Sequence, residues 1–480
     1  MVELDIPLQR GAGAPPLPVQ IASAIRDSVA AGVLRPGDPG PSTRALATRL
    51  GISRGSVTAA YDQLAAEGYL VARPRSGMVV SPDLAGSEPR GSTRRARGTR
   101  RALPGQEGRG EGARVVVGTA APPLDLVPGH EDATPLRDAA WRSAWRAAAA
   151  PSSGGDWQVD PRGQPGLRAA IAQHLRLLRG MAVEPDRVLV TAGAREGLVL
   201  LLSVAAARAG RRVRVGVESP GFPGLRRVLE RLDLTVVPLP VDGDGLRVDA
   251  LVRAQHRSPL DLVVVTPNHQ FPYGTAMPAP RRQTLLDWAH RSGVVLVEDD
   301  YDSEFRHLGP PLPSLWGLGS DDVVHLGTFA AVLTRDIGTG YLLLPPDWVD
   351  DVVAARHEIG PAVAPITQRA IAGYLDDGGL RRRIARSRRR VTAAQAAVAE
   401  HVAGRESIRD TGHLLVVELP RLHAEAVRAR CAEAGVLIGD LADGWAGAGT
   451  RSGVVASYGA LSAGDARRAA AALVAALGGT

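Results

Sequence analysis

Four short polar clusters carry the groups in this sequence best suited to chemistry, and each follows an apolar run. Thr191-Ala192-Gly193-Ala194 follows Val188-Leu189-Val190, and Glu218-Ser219-Pro220-Gly221 follows Val213 to Val217. Thr266-Pro267-Asn268 follows Leu262 to Val265, and Glu298-Asp299-Asp300-Tyr301 follows Val294 to Val297. Carboxylates at such places accept hydrogen bonds and protons, while hydroxyls and backbone amides bind anions. The positive charge available to them is of one kind. All 57 Lys-plus-Arg residues are arginine, and the sequence has no lysine. A guanidinium pairs with phosphate or carboxylate through two hydrogen bonds. It does not condense with an aldehyde, so Schiff-base chemistry on a side chain is excluded.

Other reactive groups are few. Cys431 is the single cysteine, which excludes a disulfide scaffold and a thiolate metal cluster and fits a reducing compartment. His269 and His307 fall near the expected mouth of the crevice and are expected to be structural. The loop Val241-Asp242-Gly243-Asp244-Gly245 has the look of a calcium loop but lacks its spacing and closing Glu. No metal site is expected.

Strands must carry these clusters. Apolar runs alternating with helical patterns predict a mostly parallel sheet with helices on both faces. In such sheets ligands sit beyond the carboxyl ends of the strands, so the four clusters are expected to converge on one crevice. The chain has 480 residues, 45% hydrophobic and 22% charged, which is globular composition for two to four domains. Aromatics make up only 4%, so the core must rest on Ala, Val and Leu. No apolar run reaches the roughly 18 residues of a membrane span. Met1 to Gln20 is polar and Pro-rich, unlike a secretory signal. A cytoplasmic location is expected, with no membrane partner.

Composition divides the chain into residues 1–82, an Arg/Gly/Pro-rich linker at 83–114, and residues 115–480. A coil of the linker's length spans roughly 30 Å. The last region is expected to hold a large subdomain at about 155–350. A smaller α+β subdomain follows at about 360–480, with an Arg-rich helix, a strand at Leu414 to Leu419 and a closing helix from Ser462 to Leu477.

The first region reads as a DNA-binding module. Helices at about 18–31, 43–50 and 54–67 are punctuated by Ser42 as N-cap, Gly51 as a left-handed stop and Ser53 as the next N-cap. Two short helices joined by a tight turn make a helix-turn-helix, whose second helix enters the major groove. A strand pair through Pro74-Arg75-Ser76-Gly77 adds a wing. Arg44 and Arg54 can fork onto phosphate or guanine. Ser53 and Ser56 can donate to phosphates, and Arg73 and Arg75 can enter the adjacent minor groove. The bland alternative is a helical hairpin with a basic face. The run Pro41-Ser42-Thr43-Arg44, Ser53-Arg54-Gly55-Ser56-Val57, Tyr61-Asp62-Gln63-Leu64, Glu67-Gly68-Tyr69-Leu70 and Gly77 closely resembles the GntR-type winged helix.

The remainder resembles the fold-type I aminotransferase module, and the two together resemble the MocR/GabR regulators over nearly the whole chain. The likeness rests on Gly163 to Arg168, Thr266 to Gly274, Glu298 to Arg306 and Leu326 to Phe329. It implies a multidomain protein: a winged helix joined to an α/β aminotransferase-like domain with a smaller α+β subdomain. It also implies a head-to-tail homodimer, double-stranded operator DNA as partner and a small-molecule effector. In working aminotransferases of this type, Asp299 would pair with the pyridine nitrogen of pyridoxal phosphate and Tyr301 with its phenolic oxygen. Gly193, Ala194 and Arg195 would face its phosphate, Phe222 would stack near its ring, and Thr328 belongs to the same pocket.

Three positions depart from that pattern. Ala331, in Gly327-Thr328-Phe329-Ala330-Ala331, takes the place of the lysine that bonds the cofactor. Gly338 takes the place of the arginine that clamps its phosphate. Val455 takes the place of the arginine that binds the ligand carboxylate. Arg335 and Arg451 lie nearby as candidate substitutes. Each lost charged hydrogen bond removes about 1.5–3 kcal/mol. The expectation is a regulator with no catalytic residue and no covalent cofactor, its degenerate crevice serving as a sensor. The alternatives are an enzyme working without lysine, or a regulator holding pyridoxal phosphate or an adduct of it non-covalently.

Overall fold

The computed structural model describes residues 6, 8, 17–30, 33–35, 37–66, 70–73, 77–80, 123–129, 138–150, 160–305, 314–319, 321–447 and 451–478. The chain divides into two compact units, Met1–Val116 and Val117–Thr480. The expected linker at 83–114 lies outside the described residues.

In the first unit, α1 (Leu17–Ala30), α2 (Thr43–Leu50) and α3 (Arg54–Ala66) precede the strand pair β1 (Leu70–Arg73) and β2 (Gly77–Val80). Ser42 caps α2 by accepting from the Ala45 amide at 3.1 Å. Gly51 ends it at φ 60°, a left-handed conformation that costs a residue with a Cβ about 1–2 kcal/mol. That turn leads into α3, whose Ser56 amide donates to the Ser53 hydroxyl. Ile21, Ile25, Leu46, Val57 and Leu64 bury completely or nearly so between the helices. Tyr61 closes this core by donating to the Pro41 carbonyl at 2.7 Å; burial pushes its phenol up to about 12. The strands pair antiparallel with Leu70 opposite Val80.

The second unit holds two sheets. The larger runs in the order β4 (Val188–Thr191), β11 (Gly340–Leu343), β10 (Val323–Thr328), β9 (Val295–Asp300), β8 (Leu262–Val265), β5 (Arg214–Ser219), β6 (Thr235–Asp242) and β7 (Gly245–Leu246). β11 is antiparallel to both neighbours, and the central pairs are parallel. Successive residues on a strand point to opposite faces, and both faces here are apolar. Val188, Val190, Val263 and Leu296 enter one core, while Leu189, Val264, Val297 and Leu326 enter the other. Val and Leu dominate, as the scarcity of aromatics requires.

The smaller sheet runs β12 (Ile408–Asp410), β13 (Leu414–Glu418), β15 (Gly453–Ser457), β14 (Val436–Asp440), and then β3 (Leu124–Leu126) at its edge. Here the structure differs from the expected boundary at about 360. β3 pairs parallel with β14, Leu124 opposite Val436, so the small subdomain is completed by residues that precede the large sheet. Three residues are too few to show an alternating pattern. Trp141, on the helix Ala139–Ala149, packs edge-on against Tyr374 of the helix Pro365–Asp376, with centroids 5.2 Å apart, and both belong to the core of the large sheet although Tyr374 lies beyond residue 360.

Candidate functional site

Of the four clusters, those after β4 and β9 line a common crevice, while those after β5 and β8 reach it only through Phe222 and Phe271 just beyond them. A cavity of about 550 Å³ is lined by Gly193, Ala194, Arg195, Phe222, Asp299, Tyr301, Thr328, Ala331 and Gly338, so every expected pocket residue except Val455 meets there. Gly193 sits at the N-terminus of the helix Ala194–Ala209 with φ 87°. The first amides of a helix have no intrahelical acceptor and attract anions.

The acidic run is sorted by strand alternation. Glu298 and Asp300 share one face of β9. Glu298 accepts from the Leu315 and Trp316 amides at 2.8 and 3.2 Å, and Asp300 pairs with Arg179 at 2.6 Å. Burial alone would raise Asp300, but the charges of Arg179 and His325 outweigh it and hold the carboxyl below its ordinary range. Asp299 points the other way, into the cavity, and has no such partner among the described residues. Burial, aided by the negative charges of Asp300, Asp302, Glu218 and Glu298, pushes it up to about 8. It is therefore mainly protonated at neutral pH and can donate a hydrogen bond. Glu218, at the end of β5, is raised by burial to about 7.

Tyr301 donates to the His269 carbonyl at 3.0 Å. Its ring lies nearly parallel to that of Phe222, with centroids 6.5 Å apart. Thr328 accepts from the Ala330 amide at 3.1 Å, shaping the turn that presents Ala331. Gly338 ends a short turn at φ 49°, with open space where a Cβ would stand. Val455 lies in an apolar cluster with Phe271, Leu414, Val416 and Leu441 beneath the cavity.

Of the candidate substitutes, Arg335 lines the cavity. Arg451 does not; it binds both oxygens of Glu418 at 2.8 and 3.0 Å. Arg390 also lines the cavity, and sequence reasoning missed it. Its helix, Gly379–Val402, carries seven arginines between 381 and 390, and buries Arg383 and Ser387. Arg390 lies seven residues, about two turns, beyond Arg383, which was the available signal. Asp302 and His413 were missed too, and His269 is buried rather than at the mouth. His307 lies outside the described residues.

On the winged helix, Arg44, Ser53 and Arg54 are exposed, and Ser56 is half-buried. The Ser53 hydroxyl accepts from the Ser56 amide at 3.2 Å and lies 2.9 Å from the Ser56 hydroxyl. Gly77 begins β2 opposite Arg73. Arg75 and the side chain of Arg73 lie outside the described residues.

Comparison with known proteins agrees with both halves. Residues 17–80 match the family described as bacterial regulatory proteins, gntR family. Residues 138–440 match aminotransferase class I and II. Over 446 residues the chain is 40% identical to the HTH-type pyridoxine biosynthesis transcriptional regulator PdxR of Corynebacterium glutamicum, covering 92% of each protein. It is 31% identical to the probable rhizopine catabolism regulatory protein MocR of Rhizobium meliloti, covering 90% of this chain and 85% of that one.

The chain belongs to the MocR-type transcriptional regulators.

This MocR-type regulator thus joins a GntR-type DNA-binding module to an aminotransferase-like domain. The fold of the second unit matches that of an archaeal alanine:glyoxylate aminotransferase at a TM-score of 0.65 and 20% identity, over 75% of this chain and 92% of that one. No helix among the described residues is long and apolar enough to cross a membrane.

Proposed function

We propose that the aminotransferase-like unit of this MocR-type regulator is a receptor for a small anionic molecule held without a covalent bond, and has no transaminase activity. The absence of any lysine in the chain carries this reading. With Ala331 at the lysine position, the residues do not fit a covalently held pyridoxal phosphate. Gly338 offers no phosphate clamp, and an apolar cluster around Val455 stands where a carboxylate would be met. What the cavity does offer is Arg195, Arg335 and Arg390. Against them stand Asp299, held protonated by burial, Asp302, engaged by His269, and Asp336. The balance favours an anion.

One observation favours a pyridoxyl compound bound non-covalently. Asp299, Tyr301 and Phe222 together border the cavity, and a relative at 40% identity is named a regulator of pyridoxine biosynthesis. Operator contact falls to Arg44, Arg54, Ser53 and Ser56, with Arg73, Arg75 and Gly77 on the wing. The unit works as a head-to-tail homodimer reading two half-sites. Ligand occupancy changes operator affinity only if it favours one dimer state over another.

A thermal-shift screen of phosphate- and carboxylate-bearing metabolites tests the receptor, since a ligand at 100 times its Kd adds about 2.7 kcal/mol. At least one anion is expected to stabilise the wild-type protein and change its operator affinity. The shift should be lost in the Arg335→Ala, Arg390→Ala double variant. Equal operator affinity with and without every stabilising ligand would contradict the sensor reading.

A further inference from the structure

Beside the crevice, three metal-ligating side chains come together from three separate loops. His269 follows β8, Asp302 follows β9, and His413 precedes β13 in the small subdomain. All three are buried, and one ligand atom from each lies within 4.8 Å of the other two. His269 Nδ1 is 2.6 Å from Asp302 Oδ2. His413 Nε2 is 4.0 Å from the same oxygen, and the two imidazoles sit with centroids 4.4 Å apart, tilted by 51°. Asp302 and His413 line the cavity itself.

The orientation of His269 is fixed from behind. Its Nε2 lies 3.1 Å from the Thr411 carbonyl. A carbonyl oxygen only accepts, so Nε2 carries a hydrogen; at 2.6 Å from Asp302, Nδ1 donates a second one to that carboxylate, and a metal ion takes the place of this Nδ1 proton when it binds. A backbone carbonyl on the far nitrogen is how ligating histidines are commonly oriented. Gly274 makes this approach feasible. At φ 67°, a Cβ there would stand 2.4 Å from Thr411 Cβ and 3.0 Å from His269 Nε2. A hydrogen-bonded His–Asp pair accounts for two of the three groups. The second imidazole is turned to the same carboxylate oxygen, so the three groups face one point.

We propose that His269, Asp302 and His413 bind one divalent transition-metal ion, with its open coordination positions facing the cavity. Two imidazoles and one carboxylate suit Fe²⁺, Co²⁺, Ni²⁺ or Zn²⁺ rather than Mg²⁺ or Ca²⁺, which prefer all-oxygen shells. Ligand bonds of about 2.0–2.2 Å require the 2.6 Å pair to open and the 4.0 Å pair to close by roughly half an ångström each. A crevice ligand with an oxygen or nitrogen donor completes the shell. The site stands whether or not its occupancy alters operator affinity.

The test uses the full chain without a polyhistidine tag, stripped with chelator and titrated with Co²⁺. The expected result is visible d–d absorption saturating at one ion per chain, displaced by Zn²⁺. His413→Ala and Asp302→Asn, checked for folding by circular dichroism, should each weaken Co²⁺ binding at least about tenfold, as losing a ligand should cost no less than losing a ligand's supporting partner. Exposed His256→Ala and His423→Ala should leave it unchanged. No saturable Co²⁺ signal on the wild-type protein would overturn the proposal, and this arm needs no variant. So would folded His413→Ala binding Co²⁺ as tightly as the wild type.

Discussion

At the scale of single residues, the crevice is defined by where charge is neutralised and where it is left uncompensated. Asp299 and Asp300 are neighbours in sequence with opposite fates, because a strand sends them to opposite faces. Asp300 finds Arg179; Asp299 finds buried space and other carboxylates, and rises to about 8 from an ordinary 3.8. Because the folded chain keeps this proton where the unfolded chain has lost it, stability falls as pH climbs between those values. The slope from one such group is at most about 1.4 kcal/mol per pH unit. Asp299→Asn should therefore gain melting temperature over the wild type progressively from pH 4 to 8, and hold that gain above. A difference that stays constant across pH would show that Asp299 ionises normally. The acidic run was legible in the sequence, and strand alternation was the rule needed to sort it. The fate of Arg451 was not legible, because its partner Glu418 lies far off in sequence at the end of β13.

At the scale of elements, the punctuation of the winged helix was readable because each signal acts locally. Ser42, Gly51 and Ser53 meet their own or adjacent turns. Replacing Gly51 by Ala forces a Cβ into the left-handed region and should destabilise the turn by about 1–2 kcal/mol. Faster hydrogen exchange of the α2 and α3 amides in the full chain would report it, and unchanged exchange would place the turn's stability elsewhere. Arg44 and Arg54 lie outside this core and are exposed. Arg54→Ala should leave the melting temperature unchanged yet reduce operator affinity, flattening the log–log salt slope by about 0.9 if one phosphate contact is lost. An unaltered affinity in both Arg44→Ala and Arg54→Ala would mean that a different face meets DNA. The edge strand β3 escaped the sequence reading for the opposite reason. Its pairing with β14 is long-range, and three residues carry no period.

At the scale of the whole molecule, two units carry two tasks, and what is missing from the second decides its role. A catalytic aminotransferase crevice needs a primary amine that bonds its cofactor. This chain has none on any side chain, and its cavity is lined instead by three arginines and by Asp299, whose carboxyl burial pushes up to about 8. The fold was legible because alternating strands and helices leave few topologies, and the loss of the amine because it is a matter of composition. The closing of the site by Arg390 and His413 was not. Both come from the small subdomain, whose approach depends on packing that no local pattern records. Incubating the full-length protein with pyridoxal phosphate, adding borohydride and mapping the product by peptide mass spectrometry reads the missing amine itself. No reduced adduct is expected on any side chain, with any label confined to the N-terminal amine. Reduced pyridoxyl bonded to a residue of the crevice would contradict it.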